Sequence, residues 1–299
     1  MSTVAAGTAR TQARRRSGVK LGKIVPRALF YVLLVVILVY ILFPFYWAIR
    51  TSLMPDSDTY LTPVQYWPEN LTFDHYVTAL TQDTFVHSIL NSAIVGVSVT
   101  LLSLVVGASS AYALARFNFL GRNVALYLIL AMSMFPGVAV LGSLYTVLSD
   151  LHLYNTLPAL IITYLIFTLP FTVWVMQSFF RAMPRDLEEA AYVDGAGQFA
   201  TFWRVMLPLA APGLATTGIL ALMAAWQEFL FALSFLLTSD KWTVPLAIVN
   251  TGQTQASAYQ IPWGDQMAET LIVMVPLIVF VLVLQRRIIA GLTAGAVKG

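Results

Sequence analysis

The sequence contains no cysteine, only three histidines, and only 10% charged residues. The missing cysteines exclude disulfide frameworks, thiolate metal sites and cysteine nucleophiles. His75, His87 and His152 are too few and too scattered to form a histidine metal cluster. The scarcity of charge excludes the most. Soluble domains carry about a quarter charged residues and have under half of their residues apolar, whereas here 59% of 299 residues are hydrophobic and mean hydropathy is +0.77. A water-soluble globule is ruled out. A bilayer crossing takes roughly 20 mainly apolar residues, and near-uncharged windows lie at 28–49, 88–115, 123–148, 157–180, 207–237 and 267–285. The expected fold is an all-α membrane protein with six transmembrane helices.

Placement of the few charges orients these spans, because Lys and Arg collect in short cytoplasmic loops. All but two of the 17 basic residues fall in the N-terminal segment, the second-to-third and fourth-to-fifth span loops, and the C-terminal tail; Arg50 and Lys241 are the exceptions. Nine of the 14 acids lie on the opposite face: Asp56, Asp58, Glu69, Asp74, Asp83, Asp150, Asp240, Asp265 and Glu269. Both termini are therefore expected in the cytoplasm, which requires an even number of spans. Residues 1–27, basic and free of acid, read as a cytoplasmic tail that orients the first helix rather than as a nucleic-acid arm. The apolar stretch behind them is longer than a signal h-region and no clear small-residue cleavage site follows, so the first span reads as retained.

Within 28–299, the segment 51–86 is long for a connection and carries Tyr60, Tyr66, Trp67, Phe73 and Tyr76. These rings suit either an interfacial aromatic belt or a partner surface. Span two is rich in small residues, including Gly96, Gly107, Ala108 and Ala111, which let helices approach closely in lipid. Pro136 and Pro170 sit in spans three and four, where a proline frees a carbonyl and permits a bend. No strong internal repeat suggests the two-half symmetry of many secondary transporters.

The fourth-to-fifth loop is too long for a simple reversal of direction. Pro184 stops the preceding helix, Asp186 is positioned as an N-cap with Glu189 three residues on, and Gly195 suits the C′ position of a short helix. A second run follows, with Phe199, Phe202, Trp203 and Met206 at helical spacing before Pro208. Two short helices around a glycine make a knob suited to docking a partner.

The residues of this knob carry a resemblance. Glu189-Ala190-Ala191, Asp194-Gly195-Ala196 and, after a spacer, Leu207-Pro208 resemble the EAA loop of binding-protein-dependent ABC importer permeases. Asn155-Thr156, Leu169-Pro170, Trp226-Gln227-Glu228-Phe229 and the ending GLTAGAVKG are similar to the carbohydrate-uptake branch, of maltose, trehalose and glycerol-phosphate type. The likeness covers nearly all of 28–299, with Gln227 standing where the family usually has Asn. It implies the type I importer permease architecture, with the EAA loop at 181–208 serving as a coupling helix. It also implies four partners in the bacterial inner membrane: a second, homologous permease, two copies of a cytoplasmic ATPase, and an extracytoplasmic sugar-binding protein. Glu188, Glu189, Ala190, Ala191, Asp194, Gly195, Ala196 and Pro208 would then form the ATPase-coupling set, with Glu189 facing a basic ATPase residue.

No cofactor is expected on this chain. It has no G-x-x-x-x-G-K-[ST] phosphate loop, and the nearest string, Gly18 to Lys23, is one residue short and followed by Ile24. ATP and Mg are expected on the partner ATPase, and the chain itself is expected to be non-catalytic. Glu228 is the one formal charge well inside an expected span. Beside Trp226 and Gln227 it could contact a sugar, or it could hydrogen-bond a helix of the second permease. Asn91, Asn155 and Thr168 read as structural. A self-sufficient secondary carrier would need more intramembrane ionisable groups than this one acid, and a membrane enzyme would need converging catalytic groups.

Overall fold

The computed structural model describes the backbone of residues 21–254 and 261–296, and the side chains of 29–251 and 261–283. The N-terminal basic residues, Arg286, Arg287 and Lys298 thus lie outside the described side chains. Every regular element among the described residues is helical. The helices are α1 (Leu21–Ser52), α2 (Asp56–Thr59), α3 (Asp74–Thr81), α4 (Asp83–Arg116), α5 (Arg122–Ser133), α6 (Gly137–Asp150), α7 (Leu157–Ala182), α8 (Asp186–Val193), α9 (Gln198–Thr201), α10 (Leu207–Leu209), α11 (Ala211–Trp226), α12 (Leu230–Phe235), α13 (Val244–Thr254) and α14 (Trp263–Ala296). A π turn at Phe202–Met206 joins α9 to α10.

Four helices are long and apolar enough to cross a membrane as single rods: α1, α4, α7 and α14. Two bent pairs, α5 with α6 at 98° and Gln198–Leu209 with α11 at 76°, are long and apolar enough when taken together, and counting each pair as one span gives six. The expected third span is therefore not one helix. Pro136, which lacks an amide hydrogen, stands extended ahead of α6, and the chain turns sharply at Met134–Pro136. Pro170 instead stays inside an unbroken, buried stretch of α7. The expected fifth span is interrupted as well, because α11 ends at Trp226 and α12 begins at Leu230.

The chain divides into two compact units between Trp47 and Ala48. In the first, the side chains of α1 from Leu29 to Phe45 are exposed on every face and almost uniformly apolar, as befits a helix solvated by hydrocarbon. The second unit is organised around α4, which packs most extensively on α7 and also on α11. The small residues of α4 allow this. A Cβ on Gly107 would stand 2.6 Å from Thr172 Cγ2, and one on Gly96 would stand 3.0 Å from Leu222 Cδ1. One apolar cluster joins Ala108, Ala111 and Tyr112 of α4 to Met176 and Phe180 of α7 and to Phe202 and Met206 of the π turn. That cluster seats the base of the knob.

Candidate functional site

The knob folds nearly as its residues demand. Met183 leaves α7 in an extended conformation ahead of Pro184, and α8 starts at Asp186. Asp186 is already inside the first turn, and no side chain caps α8, so the expected capping box does not form; Arg185, in helical conformation, occupies the cap position. The other end matches expectation. Gly195 adopts φ +84°, its amide donates to the Tyr192 carbonyl at 3.0 Å, and the Ala196 amide donates to the Ala191 carbonyl at 2.9 Å. This is a Schellman stop, and its left-handed C′ residue favours glycine. Of the four apolar residues expected on the second run, Phe202 and Met206 are buried whereas Phe199 and Trp203 are exposed.

The residues expected to contact an ATPase do not share one face. Glu189, Ala190, Asp194, Gly195 and Pro208 are exposed, and Ala196 is half-buried. Glu188 and Ala191 turn inward and are buried. The carboxylate of Glu188 accepts a 2.6 Å hydrogen bond from the Tyr112 hydroxyl and pairs with Arg116, Nε lying 3.1 Å from Oε2. Arg116 Nη2 also donates to the Met183 carbonyl at 3.0 Å. The loop motif did not announce Tyr112 and Arg116. Their signal was the spacing of four along the end of a helix, which places both on one face.

Trp226 ends α11, and Gln227 and Glu228 lie in the break before α12, not in the interior of a continuous helix. Glu228 caps α12, its Oε1 accepting from the Phe231 amide at 2.7 Å and its Oε2 from the Ala232 amide at 3.2 Å. Gln227 is exposed, and Trp226 is buried with its indole nitrogen unpartnered. The Tyr164 phenol, fully buried, faces the same carboxylate.

The three weaker candidates are structural. Asn91 donates to the carbonyls of Asp240 and Trp242, each at 2.9 Å. Asn155, at φ +61°, accepts from the Leu237 amide at 2.8 Å. Thr168 donates to the Tyr164 carbonyl at 2.9 Å and lies 2.8 Å from Ser103 Oγ.

Sequence reasoning missed a clamp at the other end of the molecule. His75 in α3 is buried, with Nδ1 2.7 Å from Asp265 Oδ1 and Nε2 2.9 Å from the Met54 carbonyl; Asp56 Oδ1 is 3.9 Å from Nε2. Both ring nitrogens face acceptors, so the form that satisfies both is the imidazolium. The hydrogen bond to Asp265 raises the His75 pKa above its ordinary 6.5 against the opposing effect of burial. Glu269, counted among the acids of the outer face, is fully buried in α14 and accepts from the Thr251 hydroxyl at 3.1 Å. Among the described residues no cluster of His, Cys, Asp and Glu could hold a metal ion.

The described residues thus form a helical bundle with a short, largely exposed helix, α8, in the connection between α7 and α11. The profile of the family described as "Binding-protein-dependent transport system inner membrane component" matches residues 103–293. The chain belongs to this family: it is a multi-pass, non-catalytic permease subunit of the inner membrane. It is 40% identical over 260 residues to the trehalose transport system permease of Mycobacterium tuberculosis, covering 87% of this chain and 93% of the relative. It is 38% identical over 260 residues to the trehalose/maltose transport system permease of Thermococcus litoralis, covering 86% of this chain and 92% of the relative. Its fold is similar to a chain of a bacterial ABC transporter that imports the acidic polysaccharide alginate. That match has a TM-score of 0.76 and 23% identity, and covers 92% of this chain and 99% of the other. The expected all-helical importer-permease fold is thereby shown, with four to six candidate spans, and its setting is a sugar importer of the binding-protein-dependent ABC class.

Proposed function

We propose that this permease moves a neutral di- or oligosaccharide, trehalose or maltose being the leading examples, by alternating access driven from α8. Its partners in this reading are a second homologous permease, two copies of an ATPase carrying ATP and Mg, and an extracytoplasmic sugar-binding protein. Residues 1–27 form a cytoplasmic tail, both termini are cytoplasmic, and residues 28–299 form the permease domain. The observation that carries the docking role is the exposure of Glu189, Ala190 and Asp194 on a short helix closed by the Gly195 turn. The small side chain of Ala190 lets another protein approach closely, and Glu189 presents a carboxylate to a basic residue there.

The substrate class is supported by the relatives named for trehalose and maltose transport. No cluster of arginines lines the spans, which disfavours the glycerol-phosphate alternative. A proton-coupled secondary carrier is disfavoured because Glu228 is engaged by two amides of α12. Trp226 and Gln227 remain the proposed substrate-pathway residues at this break, the exposed Gln227 amide being suited to a sugar hydroxyl.

The test is a mild-detergent pull-down of the tagged chain from its native membrane, wild type beside Glu189→Arg, with mass spectrometry of the co-purified proteins. Wild type is expected to bring down an ATPase, a second six-span protein and a solute-binding protein, and the variant to lose the ATPase. Purification of the wild-type chain alone would overturn the reading.

A further inference from the structure

The joints on either side of α8 are not helical. Met183 is extended before it, and after it come a turn at Asp194–Gly195, with Gly195 at φ +84°, and an extended Gly197. The joint after α8 carries two glycines and bends readily, and Pro184, which lacks an amide hydrogen, interrupts the helical hydrogen bonding before it, so a displacement of α8 is poorly conveyed along the backbone. Among the described residues, Glu188 ties α8 to the bundle through Tyr112 and Arg116, and Tyr192 of α8 approaches the same Tyr112 phenol. Both ends of this grip are sheltered, the Arg116 and Glu188 side chains being 7% and 9% exposed. Tyr112 is itself fixed, with rings of Phe117, Phe180 and Phe202 centred 5.7, 5.5 and 4.9 Å away. Arg116 holds the Met183 carbonyl too, so one guanidinium joins the end of α4, the joint and the knob.

We infer that Glu188 is a positioning residue that faces away from the docking surface and, gripped by Arg116 and Tyr112, delivers motion of the knob to α4. From α4 the motion reaches α7 and α11, which pack on it. Adjacent acids divide the labour: Glu189 meets the partner and Glu188 meets the bundle. The inference rests on the importer reading above and adds the internal route by which docking becomes helix movement.

The test uses the complete importer, co-expressed and reconstituted in proteoliposomes, with Glu188→Gln, Arg116→Met, their combination and Arg116→Lys. Three quantities are read: ATPase recovered with the chain, ATP hydrolysis stimulated by loaded binding protein, and sugar moved per ATP. Each neutralising variant is expected to keep the ATPase bound yet lower sugar moved per ATP about tenfold, inside the roughly 5- to 150-fold span of ordinary coupling energies. The double variant is expected to be no worse than either single one, as for two residues acting as a unit. Arg116→Lys, which preserves the charge, is expected to recover part of the coupling and covers the case in which Arg116→Met fails to insert. Unchanged stoichiometry in Glu188→Gln and Arg116→Met would overturn the inference. So would loss of the ATPase from Glu188→Gln alone, because that would make Glu188 a docking contact. A wild-type chain that recovers no ATPase would instead defeat the importer reading itself.

Discussion

A carboxylate in a membrane span is costly unless its charge is answered, and Glu228 is answered by the amides that open α12. A glutamine there can still accept one amide hydrogen, whereas alanine accepts none. Glu228→Gln should therefore retain most transport, and Glu228→Ala should lose about 1 kcal/mol of stability, the usual value of a helix cap. Thermal unfolding in detergent and uptake with the proton gradient collapsed check this together. Loss of uptake in Glu228→Gln, or dependence of wild-type uptake on the gradient, would restore the proton-relay reading. His75 offers a second prediction, this time of pH dependence. Its pKa is raised in the folded chain, chiefly by Asp265, so the clamp stabilises fully below about pH 6.5 and fades as pH rises through the folded value. The melting temperature of wild type should exceed that of His75→Gln at pH 6 by an amount reflecting about 2 kcal/mol, typical of a hydrogen bond to a charged group. The gap should narrow by pH 9, and a constant gap would mean that the ring is never charged.

At the level of elements, α4 makes a sharp demand on side-chain size. Gly107 has no room for a methyl group while Thr172 keeps its Cγ2 atom 2.6 Å from the ideal Cβ position. Gly107→Ala is expected to destabilise by about 1–3 kcal/mol through overpacking. Thr172→Ser, which removes that methyl group, should restore part of the loss in the double variant. Additive melting shifts would show that the two residues do not meet. Small residues in a span announce such packing, and the six apolar windows were legible for an equally simple reason, since hydrocarbon leaves little choice of composition. The breaks were harder to read. Pro136 and Pro170 look alike in sequence, yet one stands at a 98° bend and the other inside a continuous helix, because the packing around each decides how a freed carbonyl is satisfied. The interruption at Gln227–Phe229 carries no proline or glycine, and only the amides bound to Glu228 reveal why α12 restarts there.

Across the whole molecule, the docking loop was the most legible feature and its division of faces the least. The turn at Gly195 followed from one glycine after an alanine-bearing helix. That Glu188 points inward depended on Tyr112 and Arg116, more than 70 positions away in the chain; local periodicity does not reach that far. The His75 clamp was hidden for the same reason, because it brings His75 together with Met54 and Asp56 and with Asp265, three separate parts of the sequence.

The opposite facing of Glu188 and Glu189 has a consequence for how such permeases diverge. In the reading proposed above, neighbouring acids in one short motif answer to different genes. Position 189 is free to drift only in step with a surface on another polypeptide, so its substitutions should track those of the cognate ATPase. Position 188 answers to 112 and 116 within its own chain, and changes there should be compensated without any change in the motor. Paired alignments of permeases with their own ATPases would separate the two patterns. Grafting a foreign knob onto this bundle should then require the partner's residue at 189, while leaving 188 native.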